Sequence, residues 1–524
     1  MAAWVALLAL ALSVRLPFVV RVGPNEGGGD EWYTVWRSWS VLFEDGNPGN
    51  FYHPALFYEA GAALFSGRYF LGKQSGVFHS PVDLLADFVL DDAKYLQALQ
   101  LLAAVFGALT VPVVFEIARR TAGWRAGVVA AGILAILPVH VQYSQRARVD
   151  SLCVLLTAVA MLAMHRLAER GQRRDFISSG VMIGLATAAN YTAVCLGLAY
   201  LGAAILVRKR STSSELAQSI ALGVVAGAAV FALTNPYFIL DPAAAAHNIV
   251  FQLSLTMWQH PYTEKAAGWF YLHHLHDQSL LFAIMGACSG AWLTIRGHGF
   301  RRILGLFPWI VVGAFAAART QEDRYVLIAM PWLCAAIGVL VGDVLSTVAR
   351  RTSTATVARR TLSAALTLIL VAPMTFELWA RTRPLVLVAN VEENQRSVMQ
   401  RWLIQHAPPG GTIWVESDLL PLLLMTFAEP GGHLQQLVQA AFRQAYPDFD
   451  ARVLKGELVE RVANFDPRLI TEKRVDLAVT CDRNVRYVQG GGPEFDAQRA
   501  FYEALIEHGT LRFEAMGCWI AGIR

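Results

Sequence analysis

The chain has 524 residues, of which 55% are hydrophobic and only 16% charged, and its mean hydropathy is +0.41. A composition this apolar excludes an ordinary soluble protein of this length and points to a polytopic membrane protein. The formal charge of +4 gives no footing for nucleic acid, because between membrane spans the position of each Lys and Arg says more than their sum.

In chain order, residues 2–20 lack the basic n-region and the A-x-A cleavage site of a signal peptide and read as a retained span. Windows apolar enough to cross a bilayer fall at 3–20, 95–118, 126–143, 151–167, 176–190, 191–207, 215–235, 278–295, 303–319, 325–345 and 361–379, which predicts about eleven spans of roughly 17 to 25 residues each. Basic clusters at Arg119, Arg120 and Arg125, at Arg166, Arg170, Arg173 and Arg174, at Arg208, Lys209 and Arg210, at Arg296, Arg301 and Arg302, and at Arg350, Arg351, Arg359 and Arg360 should all face the cytoplasm.

Threading the chain through these clusters requires 176–207 to cross twice and 51–72 not to cross. Residues 51–71, with His53, Pro54, Glu59 and Arg68, are therefore expected as a juxtamembrane helix on the outer surface. The same threading places 21–50, the turn 144–150, the loop 236–277 and everything after about 380 outside.

The tail 381–524 is polar. Its short apolar runs at 412–415, 475–480 and 511–513 alternate with helix-like stretches at 394–406 and 495–508, the pattern of a small α/β domain. The six cysteines include no CxxC pair; Cys153, Cys195, Cys288 and Cys334 lie in apolar segments, which leaves Cys481 and Cys518 as the pair able to form a disulfide.

Candidate chemistry gathers on the outer side. Gly27-Gly28-Gly29-Asp30-Glu31 sets two adjacent carboxylates in a loop just beyond the first span, after glycines that permit a sharp backbone path. That position suits a general base at an interface, and it equally suits solvated surface acids. His53-Pro54 precedes the aromatic stretch Leu56-Phe57-Tyr58; a neutral imidazole there could bind phosphate or a metal, or simply bond to backbone. The turn 143–150 holds Arg146, Arg148 and Asp150 near the bilayer edge, where a pairing of Arg148 with Asp150 or snorkelling to headgroups stands beside a functional role.

Arg324-Tyr325, after Glu322 and Asp323, sets a guanidinium where it could grip a lipid phosphate through two parallel hydrogen bonds. The loop 236–277 carries Trp258, His260, Lys265, Trp269, Tyr271, His273, His274 and His276 and reads as a half-immersed amphipathic lid. Its tryptophans and tyrosines suit an interfacial belt. The His273-His274-x-His276 run has no H-E-x-x-H or Cys/His quartet with it, so phosphate neutralisation is preferred to zinc binding.

Taken together, Asp30-Glu31 after the first span, His53-Pro54-x-Leu56-Phe57-Tyr58, Pro138 followed by Ser144 and Arg148-x-Asp150, Thr234-Asn235-Pro236-Tyr237, and Arg324-Tyr325-x-Leu327 resemble the protein O-mannosyltransferase and aminoarabinose-transferase superfamily of phospholipid carrier-dependent enzymes. The resemblance runs from residue 1 to about 345; the tail carries no such motif. It implies a GT-C fold for the transmembrane domain over 1–380, which includes the external loops 21–94 and 236–277; the extracytoplasmic α/β domain over 381–524 rests on the pattern and threading above. The resemblance also implies an inverting transfer of a hexosyl or pentosyl sugar from a polyprenyl-phosphate donor to a protein hydroxyl, glycolipid or cell-envelope glycan, at the outer face of a bacterial inner or plasma membrane, or at the luminal face in a eukaryote.

By this resemblance Asp30 would deprotonate the acceptor, while Glu31 would orient it or help hold a metal. Arg324, Arg148 and His273 would stabilise the departing phosphate, Asp150 would orient an arginine or the sugar, and His53 and Tyr325 would complete the donor side. A divalent ion is left open, with Glu31 and His53 the one ligand set the first loop offers. Two positions depart from the family: Pro54-Ala55 stands where a double proline is usual, and Asn190 where a lysine is often found. A secondary transporter or flippase of a lipid-linked or anionic solute is the alternative reading, since many spans and intramembrane arginines would look similar.

Overall fold

The computed structural model describes residues 2–21, 29–210, 212–254, 267–316, 318, 322–351, 356–387, 395–416, 423–427, 432–456, 465–482, 485, 489, 496–515 and 518–523. In chain order the helices are α1 (Ala2–Arg21), α2 (Gly29–Phe43), α3 (Leu56–Gln74), α4 (Pro81–Leu90), α5 (Ala93–Ala122), α6 (Trp124–Ala135), α7 (Pro138–Ser144), α8 (Asp150–Arg170), α9 (Arg173–Ala189), α10 (Leu196–Val207), α11 (Ser213–Leu233), α12 (Tyr237–Leu240), α13 (Pro242–Ser254), α14 (Ala267–Gln278), α15 (Leu280–Arg296), α16 (Phe300–Ala316), α17 (Met330–Arg351) and α18 (Thr356–Val386). Short 3-10 segments, Tyr191–Cys195 and Asp323–Ala329, lead into α10 and α17. The tail adds α19 (Gln395–His406), α20 (His433–Ala445), α21 (Arg468–Thr471), α22 (Asp496–His508) and strands β1 (Thr412–Glu416), β2 (Arg452–Gly456), β3 (Leu477–Cys481), β4 (Gly509–Ala515) and β5 (Cys518–Ile523). The chain divides into two compact units, residues 1–21, 48–59 and 99–389, and residues 22–47, 60–98 and 390–524.

The first unit is a bundle of apolar helices. Among the described residues α1, α5, α8, Tyr191–Arg210, α11 and Asp323–Thr347 are long and apolar enough to cross a membrane, and α6 with α7 and α14 with α15 qualify as pairs bent by 60° and 118°. The other predicted windows, 176–190, 303–319 and 361–379, fall on α9, α16 and α18. α3, covering most of the segment expected to lie along the surface, is not among the crossing helices. The 323–347 span is 94% buried and α11 only 11%, which makes the former the centre of the bundle and turns α11 outward to lipid. Without a hydrophobic drive between helices in lipid, close backbone approach supplies the packing. A Cβ on Gly180 of α9 would lie 1.9 Å from the Gly223 carbonyl oxygen of α11, and one on Gly184 2.3 Å from that of Gly227. The two Gly-x-x-x-Gly runs face each other, a pairing the sequence reading overlooked.

Both bent pairs leave backbone groups without helical partners, and in a bilayer such groups must be satisfied by protein. At the α6–α7 break, which Pro138 enforces, the Ile136 carbonyl accepts from Thr382 at 2.7 Å and the Val139 amide donates to Gln278 Oε1 at 2.8 Å. Arg15 of α1 is fully buried at the same break. Its Nη1 donates to the carbonyls of Ala11 and Ala135 at 2.9 and 3.1 Å, and its Nη2 to His140 Nδ1 at 2.7 Å. A guanidinium thus sits at the negative end of α6. At the α14–α15 corner Ser279 accepts from the Phe282 amide at 3.1 Å and donates to Glu377 of α18.

The second unit builds the tail together with the helices of the first loop. The five strands run in the order β2-β1-β3-β5-β4, with β2, β1 and β3 parallel and β5 antiparallel to both β3 and β4. Cys481 and Cys518 are register partners on β3 and β5 and are joined by a disulfide, as their isolation from the apolar segments predicted. Trp414, Phe465, Phe501 and Tyr502 form the core beside the sheet, where buried Glu416 accepts from the Tyr502 hydroxyl at 2.6 Å and from Thr480. In the loop-derived part, fully buried Trp39 of α2 packs within 4.9 to 5.2 Å of Phe65, Phe88 and Tyr95. Glu44 Oε1 accepts from the Leu434 amide at 2.7 Å, so a carboxylate caps the positive end of α20.

Candidate active site

Asp30 and Glu31 do not lie in a loop: they form the first turn of α2. Acidic residues are favoured at a helix start because they face unpaired amides and the positive end of the dipole. The helix is fixed by one apolar face, Trp32, Val35 and Trp39, all buried. Thr34 donates to the Asp30 carbonyl at 3.0 Å and Ser38 to that of Thr34 at 2.9 Å. The two carboxylates have opposite surroundings, since Asp30 is exposed and Glu31 is 2% exposed. Both belong to the second compact unit, and the other candidates to the first.

His53 is half-buried in the turn that leads into α3. That turn is pinned at three points. The Ala55 amide donates to Asn235 Oδ1 at 2.7 Å, the Phe51 amide donates to Asn248 Oδ1 at 3.0 Å, and the Phe51 carbonyl accepts from the Tyr191 hydroxyl at 2.9 Å. Asn235 is itself oriented by donating to the Phe231 carbonyl and Thr234 Oγ1 at 3.0 and 3.2 Å, while Phe238 packs on Phe51, Tyr191 and Phe231. The Thr234-Asn235-Pro236-Tyr237 motif therefore positions the His53 turn. Asn235→Ala would leave the buried Ala55 amide without its acceptor, a loss of about 1–3 kcal/mol. Thermal unfolding in detergent should show a lower melting temperature, and unchanged melting would remove Asn235 as the clamp.

Arg148 and Asp150 do pair, at 3.4 Å, with Asp150 buried and Arg148 almost so. Tyr143 connects this turn to the entry of α17: its hydroxyl donates to Asp323 Oδ1 at 2.5 Å, and its ring lies 5.9 Å beneath the Arg148 guanidinium. Arg324 is gripped by Glu322, Nε at 2.5 Å and Nη2 at 2.9 Å, and lies 5.6 Å over the ring of Tyr325. Tyr325 is buried and stacks on Phe315 at 5.5 Å. Two arginines, three carboxylates and two phenols thus line the turn before α8 and the entry of α17, joined by the Tyr143–Asp323 hydrogen bond.

His273 lies on the outward face of α14, 3.6 Å from Asp277 and stacked on His276. The inward face of that helix is Tyr271, His274, Leu275 and Gln278, with Tyr271 fully buried against the Glu322 backbone and His274 facing Asp323. On α14 the imidazole turned toward Asp323 is therefore His274, not His273; the one-turn spacing of Tyr271, His274, Leu275 and Gln278 is the signal in the sequence. Lys265, Trp258 and His260 lie outside the described residues. Among the described residues, the side chains close enough to share a metal ion are those of His273, His276 and Asp277, all exposed.

Glu59 lies in the first turn of α3. Partial burial pushes its carboxyl up to about 7 by penalising the charged form. The folded protein then holds this proton more tightly than the unfolded chain. Its destabilising effect is absent below the ordinary value of 4.5 and grows as pH rises toward about 7. Glu59→Gln should raise the melting temperature at pH 8 and leave it unchanged at pH 4; equal shifts at both would reject the burial argument.

Residues 93–239 match the family described as dolichyl-phosphate-mannose-protein mannosyltransferase. No curated protein matches the chain by sequence. Among solved structures, the chain superimposes on ArnT from Cupriavidus metallidurans bound to undecaprenyl phosphate with a TM-score of 0.61 at 14% identity, covering 99% of this chain and 98% of that one. The apo form of the same protein gives 0.60 at 15% identity over the same shares. The archaeal oligosaccharyltransferase AglB from Archaeoglobus fulgidus, in complex with an inhibitory peptide and a dolichol-phosphate, gives 0.51 at 12% identity over 99% of this chain and 74% of that one. The chain therefore has the fold shared by these GT-C structures, and over residues 93–239 it is similar to the dolichyl-phosphate-mannose-protein mannosyltransferase family.

Proposed function

We propose that the chain is an inverting transferase that moves a hexosyl or pentosyl group from a polyprenyl-phosphate donor to an acceptor hydroxyl on a protein, glycolipid or envelope glycan at the outer membrane face. The observation that carries this reading is the cluster of Arg148, Asp150, Glu322, Asp323, Arg324 and Tyr143. Arginines held by carboxylates keep a fixed geometry, and preorganised cations are what a departing phosphate needs in a water-poor site. The undecaprenyl phosphate and dolichol-phosphate named with the two structural neighbours support a carrier of the same class.

In this reading Asp30, exposed at the head of α2, removes the acceptor proton as the acceptor oxygen attacks the anomeric carbon. The bond from that carbon to the phosphate oxygen breaks, and the polyprenyl phosphate leaves with the electron pair. Arg148 and Arg324 take up the developing charge, with Asp150, His53, Tyr325 and one imidazole of α14, His273 or His274, arranging the donor. Glu31, the buried neighbour of Asp30 in the chain, orients Asp30. Glu31 and His53 are the first-loop groups that would hold a divalent ion. The division into 1–380 and an extracytoplasmic 381–524 belongs to the same reading.

The purified chain in nanodiscs should transfer label from a radiolabelled polyprenyl-phosphate sugar to an acceptor extract, and a deletion strain should accumulate that donor. Absence of transfer, with labelled donor instead appearing across the bilayer of proteoliposomes, would favour a flippase.

A further inference from the structure

Within the second unit, the outer half of α3 and the first turns of α5 enclose a cavity of about 620 Å³. Its walls are Leu64, Phe65, Leu71, Val77, Phe78 and Ala98, and its cations are Arg68 and Lys94. Beside it Phe70, Leu71 and Val77 are each more than 60% exposed, far more apolar surface than water tolerates in one place. The cavity also opens at Lys94, Tyr95 and Ala98, the beginning of a helix that crosses the membrane. Apolar walls, an exposed aromatic and aliphatic rim and cations at the start of a span are the chemistry of the headgroup boundary.

The cations are arranged with capacity left over. Asp87 accepts from Arg68 Nε at 3.0 Å and Nη2 at 2.8 Å, from Lys94 at 2.6 Å and from the Tyr95 hydroxyl at 2.7 Å. Burial alone would raise this carboxyl, but those hydrogen bonds from Lys94, Tyr95 and Arg68 hold it below the usual range, so it stays charged and fixes both cations. Lys94 also lies 3.7 Å from Asp91. Among the described residues, Arg68 gives Nε and Nη2 to protein oxygens, and its side chain is 45% exposed. Nη1 has no hydrogen-bond partner among them, which leaves it for an anionic oxygen.

We propose that this cavity seats an anionic glycerophospholipid of the surrounding bilayer, one acyl chain between α3 and α5 and its phosphate on Arg68. The site is independent of the transferase reading and of the arginine cluster of the first unit. Gly67 supplies a test that spares the ion pairs. It lines the cavity, and a Cβ added there meets nothing within 4 Å, so Gly67→Leu directs a larger side chain into the acyl space from an uncrowded position and with better helix propensity.

Delipidated full-length wild type, Gly67→Leu and Arg68→Gln would each be titrated with palmitoyl-oleoyl phosphatidylglycerol, or with the phosphatidylcholine of the same chains, and read by native mass spectrometry. Wild type should retain one phosphatidylglycerol, with at least about tenfold less adduct for Gly67→Leu, Arg68→Gln or phosphatidylcholine, the loss expected for one well-placed contact. The melting temperature of Gly67→Leu should match wild type. Equal retention by Gly67→Leu, equal binding of phosphatidylcholine, or displacement of the adduct by polyprenyl phosphate alone would each overturn the proposal.

Discussion

Asp30→Asn is expected to lower kcat/KM by about 10²–10⁴-fold, the usual worth of a positioned general base, with the KM for the polyprenyl-phosphate sugar nearly unchanged. The neutral amide keeps the size and the helix-start position of the aspartate, so α2 should remain folded; its buried face, Trp32, Val35 and Trp39, is untouched. Asp30→Glu should recover part of the rate, because the base survives with its oxygen displaced. Glu31→Gln is the informative contrast. Glu31 is 2% exposed, so its substitution should act on melting temperature as well as on rate, whereas Asp30→Asn should act on rate alone. Wild-type turnover by Asp30→Asn, measured with radiolabelled donor in nanodiscs, would remove Asp30 as the base.

Arg15→Ala is expected to cost about 3–5 kcal/mol, from an emptied cavity and from carbonyl and imidazole acceptors stranded where water is scarce. The arginine is fully buried and ties α1 to the carbonyl end of α6 and to His140. His140→Phe removes the other half, leaving Nη2 of a buried cation without its acceptor, and should destabilise by a similar amount. The double variant Arg15→Ala, His140→Phe discards charge and acceptor together. It should melt well above the sum of the single losses, the sign of a coupled pair. Strict additivity in detergent melts would mean that the two side chains stabilise the break separately.

The apolar windows were legible because a span is long and its composition extreme, and among the described residues each window falls mainly on helix. Helix breaks were less so. Pro138 announces the α6–α7 corner, but the 118° turn at Ser279 has no proline, and its cost is met by Glu377 almost a hundred residues away. α2 was read as loop because three glycines precede Asp30, although acids followed by tryptophans at positions 32 and 39 with valine between fit one helical face. His273 and His274 differ only in which side of α14 they occupy, and the side is set by packing against the α17 entry. Asn235 was visible as part of a motif, yet its partner, the Ala55 amide, is a backbone group with no signature in sequence. Arg15 passed unnoticed within an otherwise apolar span, its acceptors being carbonyls.

The hydrogen bond from the Val139 amide to Gln278 gives α14 a fixed end. A helix that carries Tyr271, His273 and His274 can swing only about that mooring unless it first strips a backbone amide of its acceptor in a dry environment, where replacement by water is unavailable. Substrate-driven movement of this segment would therefore be that of an oar in its rowlock: wide at Ala267, nearly still at Gln278, and always referred to the α6–α7 corner that holds it.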